Sequence, residues 1–245
     1  MISKFFLFTI ITISFTGCTT FLKDPLKIID KSIEAAGGDK YLNSTIEFDF
    51  RDRHYIAKRK GGSFSYERIF KNSIGTIRDI VSNKGHVREI NGMMEVIPDS
   101  MSVKYTASTN SVLYFALLPY GLNDPSVRKK YLGDTMIENQ IFYKVEITFA
   151  QEGGGEDYQD VFQYWINRED FTIGYMAYSF SENDEVSLRF RKAINARKVN
   201  DIRFYDYVNY KPKNNSVKME ELELLFTKGE LEELSKIELQ NIVVK

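Results

Sequence analysis

"TIEFDFRDRHYIAKRKGGSFSYERIF", residues 45–70, alternates apolar and polar side chains with a period of two. Ile46, Phe48 and Phe50 fall on one side and Glu47, Asp49 and Arg51 on the other, the pattern of a strand with one dry face and one wet face. Lys60-Gly61-Gly62 interrupts the alternation just before "SFSYERIF", and glycine accepts the left-handed backbone that tight hairpin loops need. The stretch predicts an antiparallel hairpin. Turn signals at Asn83-Lys84-Gly85 and Asn91-Gly92 carry it on into further strands.

Upstream, Asp24-Pro25 opens a helix with a capping acid followed by proline at the first helical position. Leu26, Ile29, Ile33 and Ala36 give that helix one apolar stripe, and Gly37-Gly38 ends it. Downstream, the alternation breaks at "STNSVLYFALLPYGLNDP". Ser108 or Asn110 can cap a helix there, and Val112 to Leu118 is apolar on nearly every side. A helix dry all round must be buried or covered by a partner. Asp124-Pro125 reads as the start of a second short helix, "SVRKKYL". After Gly133 the sequence predicts strands to the end: 140–150, 160–167, 171–180, 185–194, 201–211 and 235–244, with Asn167-Arg168-Glu169-Asp170 and Asn195-Ala196-Arg197 as turns. No Gly/Pro/Ser-rich linker and no fixed repeat divides the chain, so residues 25–245 read as one domain.

The first residues are "MISKFFLFTIITISFTGCTT". Phe5 to Ser14 is too short for a bilayer span, which takes roughly 20 residues, and reads with Lys4 as a secretory signal over residues 1–17. Phe15-Thr16-Gly17-Cys18 resembles the lipobox of bacterial lipoproteins, with Phe15 where that motif usually has Leu. The resemblance implies acylation of Cys18 as the new N-terminus, with residues 18–24 as a tether to the membrane surface. Thr19 lacks the acid that, by analogy with that family, retains lipoproteins at the inner membrane; the expectation is a lipid anchor in the outer membrane, on the periplasmic face. Cys18 is the only cysteine, so no internal disulfide supports the domain. Cleavage leaves 228 of the 245 residues, enough for a sizeable core. Of the chain's 33 basic and 34 acidic side chains, 32 and 34 remain. That balance offers no drive to bind nucleic acid.

A signal, a lipobox, one helix, a long meander and an apolar helical excursion together resemble the LolA/LolB-like half-barrels of bacterial envelopes. The stretches "FRDRHYIAKRKGGSFSYER", "YFALLPYGLNDP", "QEGGGEDYQDVFQYWIN" and "SKIELQNI" are similar to family 6503 of the domains of unknown function. The resemblance implies an α+β, mostly β fold: a curved antiparallel sheet forming an open half-barrel, with an N-terminal helix and short helices on its concave side. It also implies an apolar cavity for acyl chains, and it carries no catalytic motif.

Residues 151–160, "QEGGGEDYQD", pose a separate question. A phosphate-binding glycine loop needs a helix after it and usually a lysine, whereas here a strand follows and the neighbours are acids. Glu152, Glu156, Asp157 and Asp160 offer hard oxygen ligands for calcium, but their spacing is not that of an EF-hand, so the loop reads first as a solvated hairpin turn. His54 and His86 lie in separate hairpins without nearby His or Cys, which argues against zinc; Arg51, Asp52 and Arg53 are the expected ion-pair partners of His54. No Gly-x-Ser-x-Gly turn is present, and acylation consumes the one thiol. No cofactor is expected and no enzyme is the first reading.

The sequence thus points to an envelope lipoprotein that holds a hydrophobic ligand, a lipid or an acylated protein, in a half-barrel cavity. Val112, Phe115 and Leu118 are the cavity candidates, with Trp165 a core residue first and a cavity candidate second. A structural or assembly module of the envelope is the alternative, and an enzyme the third reading.

Overall fold

The hairpin at 45–70 nucleates the first of two sheets. In the computed structural model, which describes residues 23–153, 158–182, 185–214 and 216–245, helix α1 (Pro25–Ala36) precedes strands β1 (Thr45–Phe50), β2 (Arg53–Lys60), β3 (Ser63–Asn72), β4 (Gly75–Ser82), β5 (Gly85–Ile90) and β6 (Met93–Glu95). Helix α2 (Asp99–Ala116) follows, then β7 (Val127–Ile137), β8 (Gln140–Phe149), β9 (Phe162–Asn167), β10 (Ile173–Glu182), β11 (Glu185–Val199) and β12 (Ile202–Lys211). Helix α3 (Leu222–Thr227), β13 (Glu232–Ile237) and β14 (Gln240–Val244) complete the order.

Every pairing is antiparallel, in two seven-stranded sheets ordered β14-β1-β2-β3-β4-β5-β6 and β13-β12-β11-β10-β9-β8-β7. The sheets curve without closing into a barrel, so the fold is the mostly β open half-barrel expected from the sequence. Gly61-Gly62, Asn91-Gly92, Glu138-Asn139 and Asn200-Asp201 all take positive φ, as two-residue hairpin loops of the mirror-image type require.

Each helix buries a different apolar layer. Asp24 caps α1, accepting from the Leu26 amide at 3.0 Å. Its buried side is Ile28, Ile29, Ser32 and Ala36, one position round from the expected stripe, which leaves Leu26 exposed. Together with Leu118 and Leu122, α1 covers the concave face of the second sheet, where Tyr143, Val145, Tyr164, Ile166, Met176 and Tyr207 lie. The end of α2 (Leu113, Ala116) and Leu117 fill the angle between the sheets against Ile46, Phe48, Tyr55 and Phe204. On the convex face of the second sheet, α3 and its flanks cover Phe142, Trp165, Tyr175 and Phe190.

Four expectations are corrected. The helix expected over 112–118 begins at Asp99, thirteen residues earlier than Val112; Pro98, at its N-cap, offers no side-chain bond to announce the start. "SVRKKYL" is the beginning of edge strand β7, whose Val127, Lys129 and Tyr131 are half-buried while Arg128 and Lys130 are exposed; charge on an edge strand discourages further pairing. Asn195-Ala196-Arg197 is a bulge inside β11, between the Ile194–Asp206 and Arg197–Phe204 pairs, and makes no turn. The final strand divides at Glu238-Leu239 into β13 and β14, which lie in different sheets. Helix α3 lies in a stretch read as part of the strand-rich tail.

Candidate functional site

Helix α2 meets β3, β4 and β5. Ser102, Thr106 and Asn110, one turn apart, present a polar edge to a cleft of about 660 Å³. The other walls are His86 from β5 and the aromatic side chains Phe149, Phe162, Tyr178 and Phe180 from β8, β9 and β10. Tyr114 and Phe115 close the inner end. The Tyr114 and Tyr164 hydroxyls share a hydrogen bond of 2.8 Å, and burial pushes both phenols above their ordinary pKa. They therefore stay neutral. A second, smaller cavity of about 210 Å³ lies between α2 and strands β11 to β13. It shares Ser111 and Phe115 with the cleft.

At its outer end the cleft rests on a buried charge network. Asp79, Arg68 and Arg88 stand directly opposite one another across β3, β4 and β5. Arg68 donates from Nη2 to Asp79 Oδ2 at 2.7 Å; Arg88 donates from Nε to Oδ1 at 2.7 Å and from Nη2 to Oδ2 at 2.9 Å. His86 Nε2 lies 3.2 Å from Oδ1, and His86 Nδ1 lies 3.2 Å from Ser102 Oγ. Burial alone would raise the pKa of Asp79. The hydrogen bonds and charges of Arg88 and Arg68 outweigh it and hold the carboxyl below its usual range. The Arg88 guanidinium also sits 3.3 Å from the centre of the Tyr105 ring, so Ser102 and Tyr105 dock α2 onto this network. The inner face of β3–β5, expected to be dry, thus carries an ion cluster that anchors the helix.

The expected residues separate. Phe115 borders both cavities, and Val112 lines only the smaller one. Leu118 lies past the end of α2, 1% exposed, packed in the layer beneath α1, and lines neither cavity. Trp165 faces away from both, on the convex side, where its Nε1 donates to Glu223 Oε2 at 2.9 Å and its ring packs on Phe190. It belongs to the core beneath α3. Asp160 is on the cleft wall and Glu152 is exposed on the loop; Glu156, Asp157 and Cys18 fall outside the described residues. Among the described residues no group of three or more His, Cys, Asp or Glu side chains is arranged to hold a metal. His54 pairs with Asp49 opposite it, Nδ1 to Oδ1 at 2.7 Å; the expected neighbours Asp52 and Arg53 pair with each other. No helix among these residues is long and apolar enough to cross a membrane, a statement that does not bear on strands.

The sequence reading missed Ser102, His86 and Arg191 as wall residues. In "SLRFRK" Arg189 and Arg191 alternate with Leu188 and Phe190, and period two alone does not say which set faces inward.

A model described as a family of unknown function, DUF6503, matches residues 3–239 of the chain. No curated protein matches it. Among solved structures, a DUF1329 family protein from Desulfovibrio piger is similar over 90% of this chain and 93% of its own, with a TM-score of 0.52 at 10% identity. A LolA superfamily protein from Nitrosomonas europaea is similar over 92% of each chain, with a TM-score of 0.48 at 9% identity. At these identities the likeness is one of fold.

Proposed function

We propose that this chain, which belongs to the DUF6503 family of unknown function, is an envelope lipoprotein that holds a hydrophobic ligand, a lipid or the acyl part of a lipoprotein, beside α2. The supporting observation is the cleft. Its volume of about 660 Å³ lies within the range of roughly 300–1,000 Å³ usual for ligand sites, and its walls combine a set of aromatic side chains with polar groups from α2, His86 and Asp160. Anchoring through Cys18 in the outer membrane, after removal of residues 1–17, completes the reading. A single acyl chain holds a protein only marginally, so a lipoprotein's several chains give a firm attachment.

The test combines a hydrophobic fluorescent probe with Phe115→Ala. Phe115 is half-buried between two cavities, so its loss enlarges open space. The expected cost is below the ~3–5 kcal/mol of a phenylalanine removed from a filled core, with a changed affinity for the probe. A large loss of stability, in a wild type that binds no probe, overturns the proposal in favour of the structural module.

A hydrolytic reading has one observation behind it, the Ser102–His86–Asp79 line at the cleft's outer end. Asp79 shares its charge with two guanidiniums, which weakens its support of His86 as a base, and we give this reading second place. Turnover of a short-chain ester that Ser102→Ala abolishes would raise it to first.

A further inference from the structure

The smaller cavity holds a charge that the protein leaves unanswered. Arg191 lies on its wall, 7% exposed. Its Nη2 donates to the Tyr178 hydroxyl at 2.7 Å and its Nε to Asn209 Oδ1 at 3.4 Å. Its guanidinium stacks 4.1 Å from the centre of the Phe115 ring. Among the described residues no carboxylate pairs with it. Burial pulls its pKa down from the ordinary value, and the groups that push back are all tyrosines. Burying a charge without a partner costs several kcal/mol, so such residues normally have a counter-ion.

A second observation points the same way. Tyr207 lines the same cavity, 2% exposed, and its hydroxyl has no hydrogen-bond partner. Arg51, at the rim, also has no carboxylate partner among the described residues, and no Asp or Glu lines the space. A buried guanidinium, an orphaned hydroxyl and a second arginine around a cavity without acids form a receptor for an oxyanion. About 210 Å³ is too small for a whole lipid and suits a head group. The aromatic cleft beyond Phe115 supplies room for a chain.

We infer that the ligand is an anionic amphiphile, whose carboxylate or phosphate monoester is received by Arg191 and Tyr207 while its alkyl chain runs past Phe115 into the larger cleft. This inference rests on the binding function proposed above and adds the chemistry of the head group.

The test uses dodecanoate, dodecyl phosphate and dodecan-1-ol below their aggregation limits, each displacing the hydrophobic probe from wild type, Arg191→Met and Tyr207→Phe. The two anions are expected to bind the wild type at least tenfold more tightly than the alcohol. Whichever anion is the tighter names the source of the oxyanion. In Arg191→Met all three should bind at the alcohol's level. Tyr207→Phe, which keeps the ring, should lose several-fold for the anions only. Tyr207→Phe removes an unsatisfied buried hydroxyl and should not lower the melting temperature of the unliganded protein. Arg191→Met also strands the Tyr178 hydroxyl and Asn209 Oδ1, so its binding is compared at temperatures where it is fully folded. Equal binding of alcohol and anions by the wild type overturns the inference and leaves the apolar site standing; so does an anion preference that survives in Arg191→Met. A lower melting temperature in both variants with an unchanged preference assigns the two residues a structural role. Failure of all three compounds to displace the probe overturns both proposals.

Discussion

Asp79 is shut off from water, yet three basic side chains converge on it. Because its pKa in the fold lies below the ordinary value, it binds a proton less readily in the folded chain than in the unfolded one. Its contribution to stability is therefore complete above about pH 4, the value of a free aspartate, and disappears as the pH falls through the lowered folded value. Glu67 behaves likewise: burial would raise its pKa, but Lys58 and Arg78 prevail and lower it. Urea unfolding is expected to show a flat midpoint from about pH 5 to 7 and a falling one below about pH 4. Asp79→Asn leaves two buried guanidiniums without a counter-charge, a loss on the order of 3–5 kcal/mol at neutral pH, and should flatten the acid limb. An unchanged acid limb in that variant would place the sensitivity elsewhere. Little of this was legible in the sequence. Within "TIRDIVS" Ile77, Asp79 and Val81 alternate with Arg78 and Ile80, so each face receives both apolar and charged residues. The cross-strand partners that settle the matter lie eleven and nine residues away. Trp165 was legible as core but not by side, because every residue of β9 from Phe162 to Ile166 is buried.

Among the elements, α3 shows most plainly why part of the fold escaped the sequence. It is six residues long, and one charged side chain secures it to the sheet. Glu223 accepts from Trp165 Nε1 at 2.9 Å, from Lys144 at 3.1 Å and from the Thr135 hydroxyl. Phe226 then stacks on Phe190. Helices this short hold through packing and not through their own propensity, so the pattern of "LELLFT" carries no independent signal. Glu223→Gln should cost about 1–3 kcal/mol, the worth of charge-assisted hydrogen bonds in a partly buried setting. Trp165 is the only tryptophan, which makes its emission a direct readout: the variant should change its wavelength or intensity while the protein remains folded. A silent spectrum would mean that Glu223 does not hold the indole. By contrast, α1, with its cap, proline and terminal glycine, and the hairpins at Gly61-Gly62 and Asn91-Gly92 were legible, since each is set by a local steric requirement. The first half of α2 was not, because it faces the cleft and the ion network and so has no continuous apolar stripe.

At the scale of the molecule, the sequence conveyed the antiparallel meander but not its division into two sheets. Neighbouring strands advertise their pairing through short turns; distant ones do not. The second sheet is a continuous run from β7 to β13 in which each strand pairs with the next in sequence. The first is continuous only from β1 to β6, and its remaining edge is closed by β14, with Ile46 opposite Val244. Weakening β14 by Ile242→Ser, a residue that packs into the angle between the sheets, should leave the early, Trp165-reported phase of refolding unchanged. It should slow or abolish a later phase seen in β-sheet circular dichroism. Equal slowing of both phases would mean that the two sheets form together.

The pairing of β14 with β1 also sets an order in time. A chain that emerges N-terminus first delivers β1 well before its partner β14. Until then the hydrogen-bonding edge that carries Ile46 and Phe48 stays open, and an open edge invites pairing with a neighbouring chain. Contacts this distant in sequence also form slowly, because the loop between them must be closed before they contribute. Newly made copies are therefore most vulnerable to one another during the interval between the hairpin of β1 and β2 and the arrival of β14. That hazard should grow with expression level and shrink with any factor that occupies the β1 edge until β14 arrives.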